Sequence, residues 1–238
     1  RDCLLSRGLG DVYKRQVMRE VRIGVVDSGT PHERMADARR FQLASVGVSE
    51  QPPLEDALGH GSAVVQLIAA GAGDLPIHVA QVFDQRGITS ALQVAAGIDW
   101  LVKRGARVIN LSLGLREDRP ALREACAAAI KAGVLICAST PAQGTPVFPA
   151  AYPGVLRITG DARCQPDEWS WLDTPQADFG ACVRARESPL SGASFGCAAL
   201  TGHIAAFLRD QPHASNPQVM AWLLYNAHYR GREYKGLA

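Results

Sequence analysis

Short apolar runs rich in β-branched residues alternate along the chain with longer apolar patterns of helical period. Runs of the first kind are typical of buried strands, and patterns of the second kind, when a glycine follows, are typical of helices. Strands are predicted at 21–26, 77–83, 107–113, 134–137 and 155–159, with a weak one at 42–46. Helices are predicted from His60 to the glycines at 71 and 73, and at 91–102, 120–132, 194–208 and 216–226.

This alternation predicts an α/β fold in which helices cover both faces of a parallel sheet. The 238 residues, 47% of them hydrophobic, suffice for one domain with a full core, and no internal repeat or Gly/Ser-rich linker divides the chain. Residues 1–16 are basic and mixed and fit no part of the pattern. We therefore expect them to be a non-native, scar-like segment, with the native start at Met18 and the domain spanning 17–238.

The charge balance and the cysteines argue against several classes of function. A formal net charge of +2 and the absence of any Lys/Arg block argue against a nucleic-acid partner. No apolar stretch of the sequence is long enough to span a membrane, and no export signal is visible, so we expect a cytoplasmic protein. The six cysteines form no C-x-x-C pair, so a zinc site is not expected. Cys164 and Cys182 flank a loop and are expected to be reduced rather than paired.

Three glycine-flanked strings place an acid, a base and a nucleophile in one order along the chain. They are Val-Val-Asp27-Ser-Gly, Gly-His60-Gly-Ser and Gly-Ala-Ser194-Phe-Gly. Asp27 follows a predicted strand, and His60 and Ser194 each begin a predicted helix. In parallel α/β sheets, ligands bind beyond the carboxyl ends of the strands, and helix starts there offer free N–H groups. The three side chains can therefore meet at one rim of the sheet.

These are the residue types that nucleophilic catalysis by a hydroxyl requires. The hydroxyl needs a base to accept its proton, and the base needs a partner that fixes its tautomer. Taken singly, each residue has a simpler explanation, Asp27 as a turn residue and His60 and Ser194 as helix caps. Their joint occurrence, each within two residues of a glycine and each at one end of a predicted element, favours the catalytic interpretation.

The order Asp, His, Ser and the residues around each resemble the subtilisin-like serine proteases, or subtilases. Asp27-Ser-Gly resembles the family's D-[ST]-G, Gly-His60-Gly-Ser its H-G-[ST], and Gly-Ala-Ser194-Phe-Gly its G-T-S-[MF]-A. Further matches lie at 82–87, 98–100, 108–114 and 148–153, and 236–238 resembles the family's closing strand. The resemblance runs from Val21 to the end of the chain and implies a three-layer α/β sandwich with a mostly parallel central sheet.

The resemblance assigns a role to each residue of the set. Ser194 would attack the peptide carbonyl, and His60 would take its proton and pass it to the leaving amine. Asp27 would hold His60 in the required tautomer and stabilise its cation. The implied activity is that of a serine endopeptidase that works through an acyl-enzyme and needs no cofactor.

The resemblance also implies a cleft for a peptide or protein substrate in extended conformation. The substrate would pair as an added strand with backbone groups of three residues, and Gly87 would border the opposite side of the cleft. The three residues are Ser112, Leu113 and Gly114.

The chain departs from the family pattern at the oxyanion site. The family follows the strand at 134–137 with Ala-Ala-Gly-Asn, and the Asn side chain donates a hydrogen bond to the oxyanion, whereas residues 138–144 contain no asparagine. The backbone N–H of Ser194 remains as one donor. The candidates for the second donor are Ser139, Thr140 and Gln143. The family's usual calcium-ligand loops are not recognisable either, so no structural metal is expected.

Two other interpretations of the sequence remain open. The first is a catalytically weakened pseudoprotease of the same fold that binds extended peptides, which the missing asparagine suggests. The second is a nucleotide-binding α/β domain. It is disfavoured because neither G-x-x-x-x-G-K-[ST] nor G-x-G-x-x-G follows a predicted strand.

Overall fold

The computed structural model describes residues 20–31, 35–184 and 191–233 of the chain. A ten-stranded sheet forms the centre of this part. Its strands are β1 (Arg22–Asp27), β2 (Asp37–Leu43), β3 (Val48–Gln51), β4 (Ile77–Gln81), β5 (Ala106–Leu111), β6 (Leu135–Ser139), β7 (Leu156–Gly160), β8 (Trp169–Trp171), β9 (Phe179–Ala181) and β10 (Tyr229–Arg230). The helices are α1 (His60–Ala72), α2 (Ala91–Lys103), α3 (Pro120–Lys131), α4 (Ala193–Asp210) and α5 (Asn216–Tyr225).

The sheet is mostly parallel, which confirms the prediction from the sequence. Its strand order is β10-β8-β9-β7-β6-β5-β1-β4-β2-β3, and the seven strands from β9 to β2 run parallel to one another. β3 is antiparallel to β2, and β8 is antiparallel to β9. Because β1 lies inside the parallel set, its last residue, Asp27, lies on the rim where such sheets bind ligands.

Two layers of helices cover the sheet and complete the three-layer sandwich. On one face α1, α4 and α5 bury Ile68, Leu200 and Leu223, and on the other face α2 and α3 bury Ile98 and Leu122. Each of these side chains is fully buried, and burial of this kind contributes about 1.5–3 kcal/mol per side chain. Among the described helices, none combines the length and the apolar composition that a bilayer crossing requires.

A close crossing of α1 and α4 determines where their first residues lie. Gly71 of α1 packs directly on Gly202 of α4, and a Cβ on Gly71 would lie 2.5 Å from the Gly202 carbonyl group. A side chain at this crossing would therefore push the helices apart. Since both helices begin at the carboxyl ends of parallel strands, the crossing brings His60 and Ser194 towards the same rim.

The structure differs from the sequence prediction at one helix end and at the sheet edges. Gly71 lies inside α1, and Gly73, with φ 64°, is the residue that ends the helix. The weak strand predicted at 42–46 is instead a β2–β3 hairpin that turns at Gly47. The sequence pattern does not predict β8, β9 and β10, because strands of two or three residues are too short for a periodic pattern. The segments 1–16 and 236–238 lie outside the described residues.

The cysteines of the described part are buried, free thiols. They are Cys126, Cys137, Cys164, Cys182 and Cys197. Cys164 and Cys182 are therefore unpaired, as expected. Burial raises the pKa of Cys126, Cys137 and Cys164 to about 12, so these thiols stay protonated and pack as small core residues.

His78, on β4, is a buried histidine in contact with an aromatic side chain of α2. Both ring nitrogens are buried and, within the part of the chain that the structure describes, have no hydrogen-bond partner. The ring packs edge-on against Trp100, with the centroids 6.2 Å apart. Burial, helped by Arg22 and Arg104 and opposed by Asp37, lowers the pKa of His78 below the ordinary 6.5.

We expect the contribution of His78 to the free energy of unfolding to be lost as pH falls below 6.5. The unfolded chain then binds a proton that the folded chain does not accept until lower pH. His78→Phe keeps an aromatic ring against Trp100, so urea unfolding should show less loss of stability between about pH 8 and about pH 5 than in the wild type. His213→Phe, at an exposed position, is the control. A wild-type pH dependence in His78→Phe would contradict this assignment.

Candidate active site

Asp27 is fully buried at the end of β1. Its Oδ1 accepts a hydrogen bond from the backbone N–H of Ser28 at 2.8 Å and lies 2.7 Å from Nδ1 of His60. Its Oδ2 is buried and has no partner among the described residues. Because burying a carboxylate is costly unless hydrogen bonds compensate, the His60 ring is a principal partner of Asp27.

His60 is the first residue of α1, and its side chain is 30% exposed. Because an ionised carboxylate only accepts hydrogen bonds, the contact with Asp27 assigns the ring hydrogen to Nδ1 and leaves the lone pair on Nε2. The hydrogen bond to Asp27 raises the pKa of His60 above the ordinary 6.5, against the effect of burial. The negative charges of Asp27 and Asp56 add to this rise.

Ser194 lies in the first turn of α4, one residue before Phe195. As the second residue of the helix, it has a backbone N–H with no partner inside the helix. Its hydroxyl donates a hydrogen bond to the carbonyl of Ser112 at 3.1 Å. Phe195 packs its ring on that of His60, with the centroids 5.7 Å apart. The structure therefore brings Ser194 to the rim where His60 lies, with the hydroxyl turned towards Ser112.

A cleft of about 400 Å³ lies between His60 and the segment that follows β5. It is lined by two of the three predicted catalytic residues and by all four residues predicted to bind substrate. The residues of these two groups that line it are Asp27, His60, Gly87, Ser112, Leu113 and Gly114. Leu58 and Phe83 line it as well and give it partly apolar walls.

Comparison with known protein families identifies the family of this chain. The profile described as the Subtilase family, Peptidase S8, matches residues 18–164. The chain belongs to the subtilase family. This confirms the resemblance that the sequence motifs suggested.

Two curated relatives of this subtilase illustrate the similarity. The chain is 28% identical to the thermostable alkaline protease of Halalkalibacterium halodurans in an alignment of 233 positions that covers 88% of this chain and 63% of that protein. It is 27% identical to subtilisin E of Bacillus subtilis (strain 168) in an alignment of 244 positions that covers 91% of this chain and 64% of that protein. The chain thus spans somewhat less than two thirds of the length of these relatives.

A solved structure shares the fold of this subtilase. The crystal structure of a cold adapted subtilisin-like serine proteinase matches it with a TM-score of 0.69 at 19% sequence identity. The match covers 87% of this chain and 84% of that chain. At this level of identity the similarity concerns the fold alone, and it confirms the subtilisin-like α/β sandwich.

Asp56 connects Ser28, which follows Asp27, to the start of α1 around His60, and sequence reasoning missed it. Its Oδ1 accepts hydrogen bonds from the hydroxyl of Ser28 at 2.8 Å and from the N–H of Gly59 at 3.0 Å. Its Oδ2 accepts hydrogen bonds from the N–H of Ser62 at 2.8 Å and from the Ser62 hydroxyl at 2.6 Å. Ser28 Oγ also accepts the N–H of Gly61 at 2.9 Å. Since the N-cap Gly59 has no side chain, Asp56 and Ser28 satisfy the free N–H groups of α1 in its place.

The carboxylate of Asp56 also acts on the charge of His60. Burial raises the pKa of Asp56, but hydrogen bonds from Ser62, Ser28 and Gly59 outweigh this, and the pKa lies below the ordinary 3.8. The resulting negative charge helps to raise the pKa of His60. The spacing Asp56-x-x-Gly59 before a helix was the available signal, because an acid near a helix start is a capping pattern.

Asp56→Asn should lower the pKa of His60 and weaken the start of α1. The amide removes the negative charge and replaces one acceptor oxygen by a donor that faces other donors, so we expect a loss of about 1–3 kcal/mol in the free energy of unfolding. NMR titration of the His60 ring measures the pKa, and urea unfolding measures the stability. Asp84→Asn is the matched control, because Asp84 also accepts two backbone N–H groups but in an exposed turn. An unchanged pKa of His60 in Asp56→Asn would contradict the electrostatic link.

The three candidates for a second oxyanion donor are not among the residues that line the cleft. Ser139 is buried at the end of β6. Thr140 is buried too, and its N–H donates to the carbonyl of Ile158 at 2.9 Å. Gln143 is exposed and lines a separate cavity beside the end of β7. A second donor among these residues stays a prediction, and the N–H of Ser194 is the donor that the helix start leaves free.

Proposed function

We propose that this subtilase is a serine endopeptidase that hydrolyses peptide bonds with Asp27, His60 and Ser194. The 2.7 Å contact between Asp27 Oδ1 and His60 Nδ1, at the wall of an open cleft, is the observation that carries the proposal. A buried acid that fixes a histidine tautomer beside a serine at a helix start is the arrangement that activates a hydroxyl nucleophile.

The proton follows a defined route in this proposal. His60 Nε2 takes the proton of the Ser194 hydroxyl as Oγ attacks the carbonyl carbon of the scissile bond. The imidazolium that forms is stabilised by Asp27 and then gives the proton to the leaving amine, which departs and leaves an ester on Ser194. Water then attacks the ester carbonyl as His60 takes its proton. His60 returns this proton to Oγ of Ser194 as the bond to Oγ breaks, which frees the second product as a carboxylic acid.

Substrate binding would also release the nucleophile. The Ser194 hydroxyl donates to the Ser112 carbonyl at 3.1 Å, and a peptide that pairs as an added strand would bring its own N–H to a carbonyl in this segment. Once a substrate N–H donates to the Ser112 carbonyl, the Ser194 side chain can rotate to another staggered position. This rotation frees its hydroxyl for His60. Catalytic hydrogen bonds are often not yet aligned before substrate binds, so this resting geometry suits the role.

The oxyanion of the tetrahedral intermediate would form beside the start of α4. The free N–H of Ser194 and the positive end of the helix dipole stabilise negative charge there. In subtilisin itself, where the asparagine donor is present, its loss lowers kcat by about 10²–10³. Turnover by this subtilase is therefore proposed to be slower than that of relatives that carry the asparagine. The cytoplasmic location expected from the sequence stays a prediction.

Cleavage of an unfolded protein tests the proposal. The full chain is incubated with reduced, unfolded casein, and new peptide termini are identified by mass spectrometry. We expect new termini with the wild type and none with His60→Ala. Peptide binding in both proteins without new termini in either would contradict the proposed function and indicate the pseudoprotease.

A further inference from the structure

We propose that the buried side chains of Asn110 and Ser112 are positioning residues that hold the nucleophile against the substrate-binding segment. The inference rests on the proposed function, because it assumes that Ser194 attacks a substrate paired with the segment after β5. It assigns to the Ser112 side chain a role separate from that of its backbone.

A continuous line of hydrogen bonds joins the two residues to the start of α4. Nδ2 of Asn110 donates to Oγ of Ser112 at 2.9 Å. The Ser112 hydroxyl in turn donates to the backbone carbonyl of Ser194 at 2.9 Å. Each donor thus has one acceptor, and the line ends on the backbone of the nucleophile itself.

The other end of this line is also anchored in α4. Oδ1 of Asn110 accepts a hydrogen bond from the Cys197 thiol at 3.2 Å. It also lies 3.1 Å from the Thr201 hydroxyl, which shares its single hydrogen between Asn110 and the carbonyl of Cys197 at 2.8 Å. The amide of Asn110 therefore connects β5 to α4 through both of its polar atoms. Cys197 and Thr201 lie one and two turns beyond Ser194, so the contacts fix the helix along its axis as well as at its end.

Complete burial makes this network costly to disturb. Asn110, Cys197 and Thr201 are fully buried, and Ser112 is 4% exposed. A buried polar group that loses its partner is strongly disfavoured, so the network favours one relative position of strand and helix over displaced ones.

Ser112 and Ser194 hold each other by a reciprocal pair of hydrogen bonds. The hydroxyl of Ser112 donates to the carbonyl of Ser194, and the hydroxyl of Ser194 donates to the carbonyl of Ser112. The second bond is the one that substrate would replace, whereas the first uses a side chain that the substrate does not need. The Ser112 hydroxyl can therefore keep the spacing between nucleophile and substrate during the reaction.

This spacing matters because attack requires near-contact geometry. A misplacement of about 1 Å between nucleophile and substrate costs roughly a hundredfold in rate. Ser112→Ala removes the side-chain bond but leaves the backbone groups that bind substrate. We therefore expect kcat to fall by about ten- to a hundredfold with KM changed less than about twofold, since the loss concerns the reacting geometry rather than binding.

A matched control separates positioning from stability. Ser170→Ala removes another fully buried hydroxyl, which donates to Asp161 at 2.6 Å on the outer strand β8. Both variants should lower the urea midpoint of unfolding, but only Ser112→Ala should lower kcat. Ser112→Thr keeps a hydroxyl and should recover most of the lost kcat, whereas Ser112→Cys, with a weaker donor, should lie between wild type and alanine.

The outcomes distinguish this inference from the proposed function. If the wild type cleaves no peptide, the proposed function fails. If the wild type cleaves peptides and Ser112→Ala keeps the wild-type kcat, the proposed function stands and the positioning role is overturned. If Ser112→Ala does not fold, Ser112→Cys replaces it in the test. Equal kcat values for wild type and Ser112→Cys would then overturn the positioning role. Equal losses of kcat in Ser112→Ala and Ser170→Ala would also overturn the positioning role, because both losses would then be explained by reduced folding stability.

Discussion

Replacing Ser194 with alanine is expected to lower kcat/KM on a peptide substrate by a factor on the order of 10⁶. The alanine removes the oxygen that attacks the substrate, and no other group of the proposed triad can act as the nucleophile. The size of the factor is the one known for loss of the nucleophile in subtilisin itself. The measurement compares kcat/KM of wild type and Ser194→Ala on one quenched fluorescent peptide.

The control for this substitution is a neighbouring serine. Ser191 is exposed and precedes α4, so Ser191→Ala should keep the wild-type kcat/KM. A Ser194→Ala variant that retained most of the activity would show that the hydrolysis comes from another group or from a contaminating protease.

Asp27→Asn is expected to lower kcat by about 10⁴ without a comparable change in KM. The amide can donate a hydrogen bond to Nδ1 of His60, which favours the tautomer that carries its hydrogen on Nε2. That tautomer has no lone pair facing the hydroxyl of Ser194, so the base is lost although the ring stays in place. Steady-state kinetics measure the loss.

The pKa of His60 provides an independent check on this substitution. The hydrogen bond to Asp27 is the largest cause of the raised pKa of His60, so Asp27→Asn should lower that pKa in an NMR titration. Activity of the wild type should fall as pH is lowered through the pKa of His60, which lies above 6.5, because only the neutral ring accepts a proton. An Asp27→Asn variant with wild-type kcat would contradict the role of the acid.

The central part of the fold is predictable from the sequence because its strands and helices are long and regularly patterned. The run 21–26 and the helical pattern after His60 correspond to β1 and α1 within one or two residues. The edges of the sheet are harder to predict, because β8 and β9 have three residues each, and β10, with two residues, pairs with β8 from a segment far along the chain. The position of Gly71 inside α1 is also not predictable from a local pattern, because it depends on the packing of Gly71 against Gly202 where the two helices cross.

In the candidate site, too, some features are predictable from the sequence and others depend on tertiary packing. Topology alone predicts that residues at strand ends and helix starts meet at one rim, and the contact of Asp27 with His60 agrees with it. The hydrogen bonds around the site depend on packing that no local pattern reveals. Asn110 and Thr201, for example, are 91 residues apart in sequence and touch only because α4 packs on β5. Asp56 has a local signal, but its partner Ser28 lies 28 residues away.

Covalent labelling of the nucleophile tests the central claim most directly. The folded wild type is treated with a fluorophosphonate probe, which reacts with activated serines, and the modified peptide is identified by mass spectrometry. We predict one adduct, on Ser194, that is lost in Ser194→Ala and strongly reduced in His60→Ala and Asp27→Asn. Folded wild-type protein without an adduct, or with its adduct on a different residue, would contradict the assignment of Asp27, His60 and Ser194 as the catalytic set.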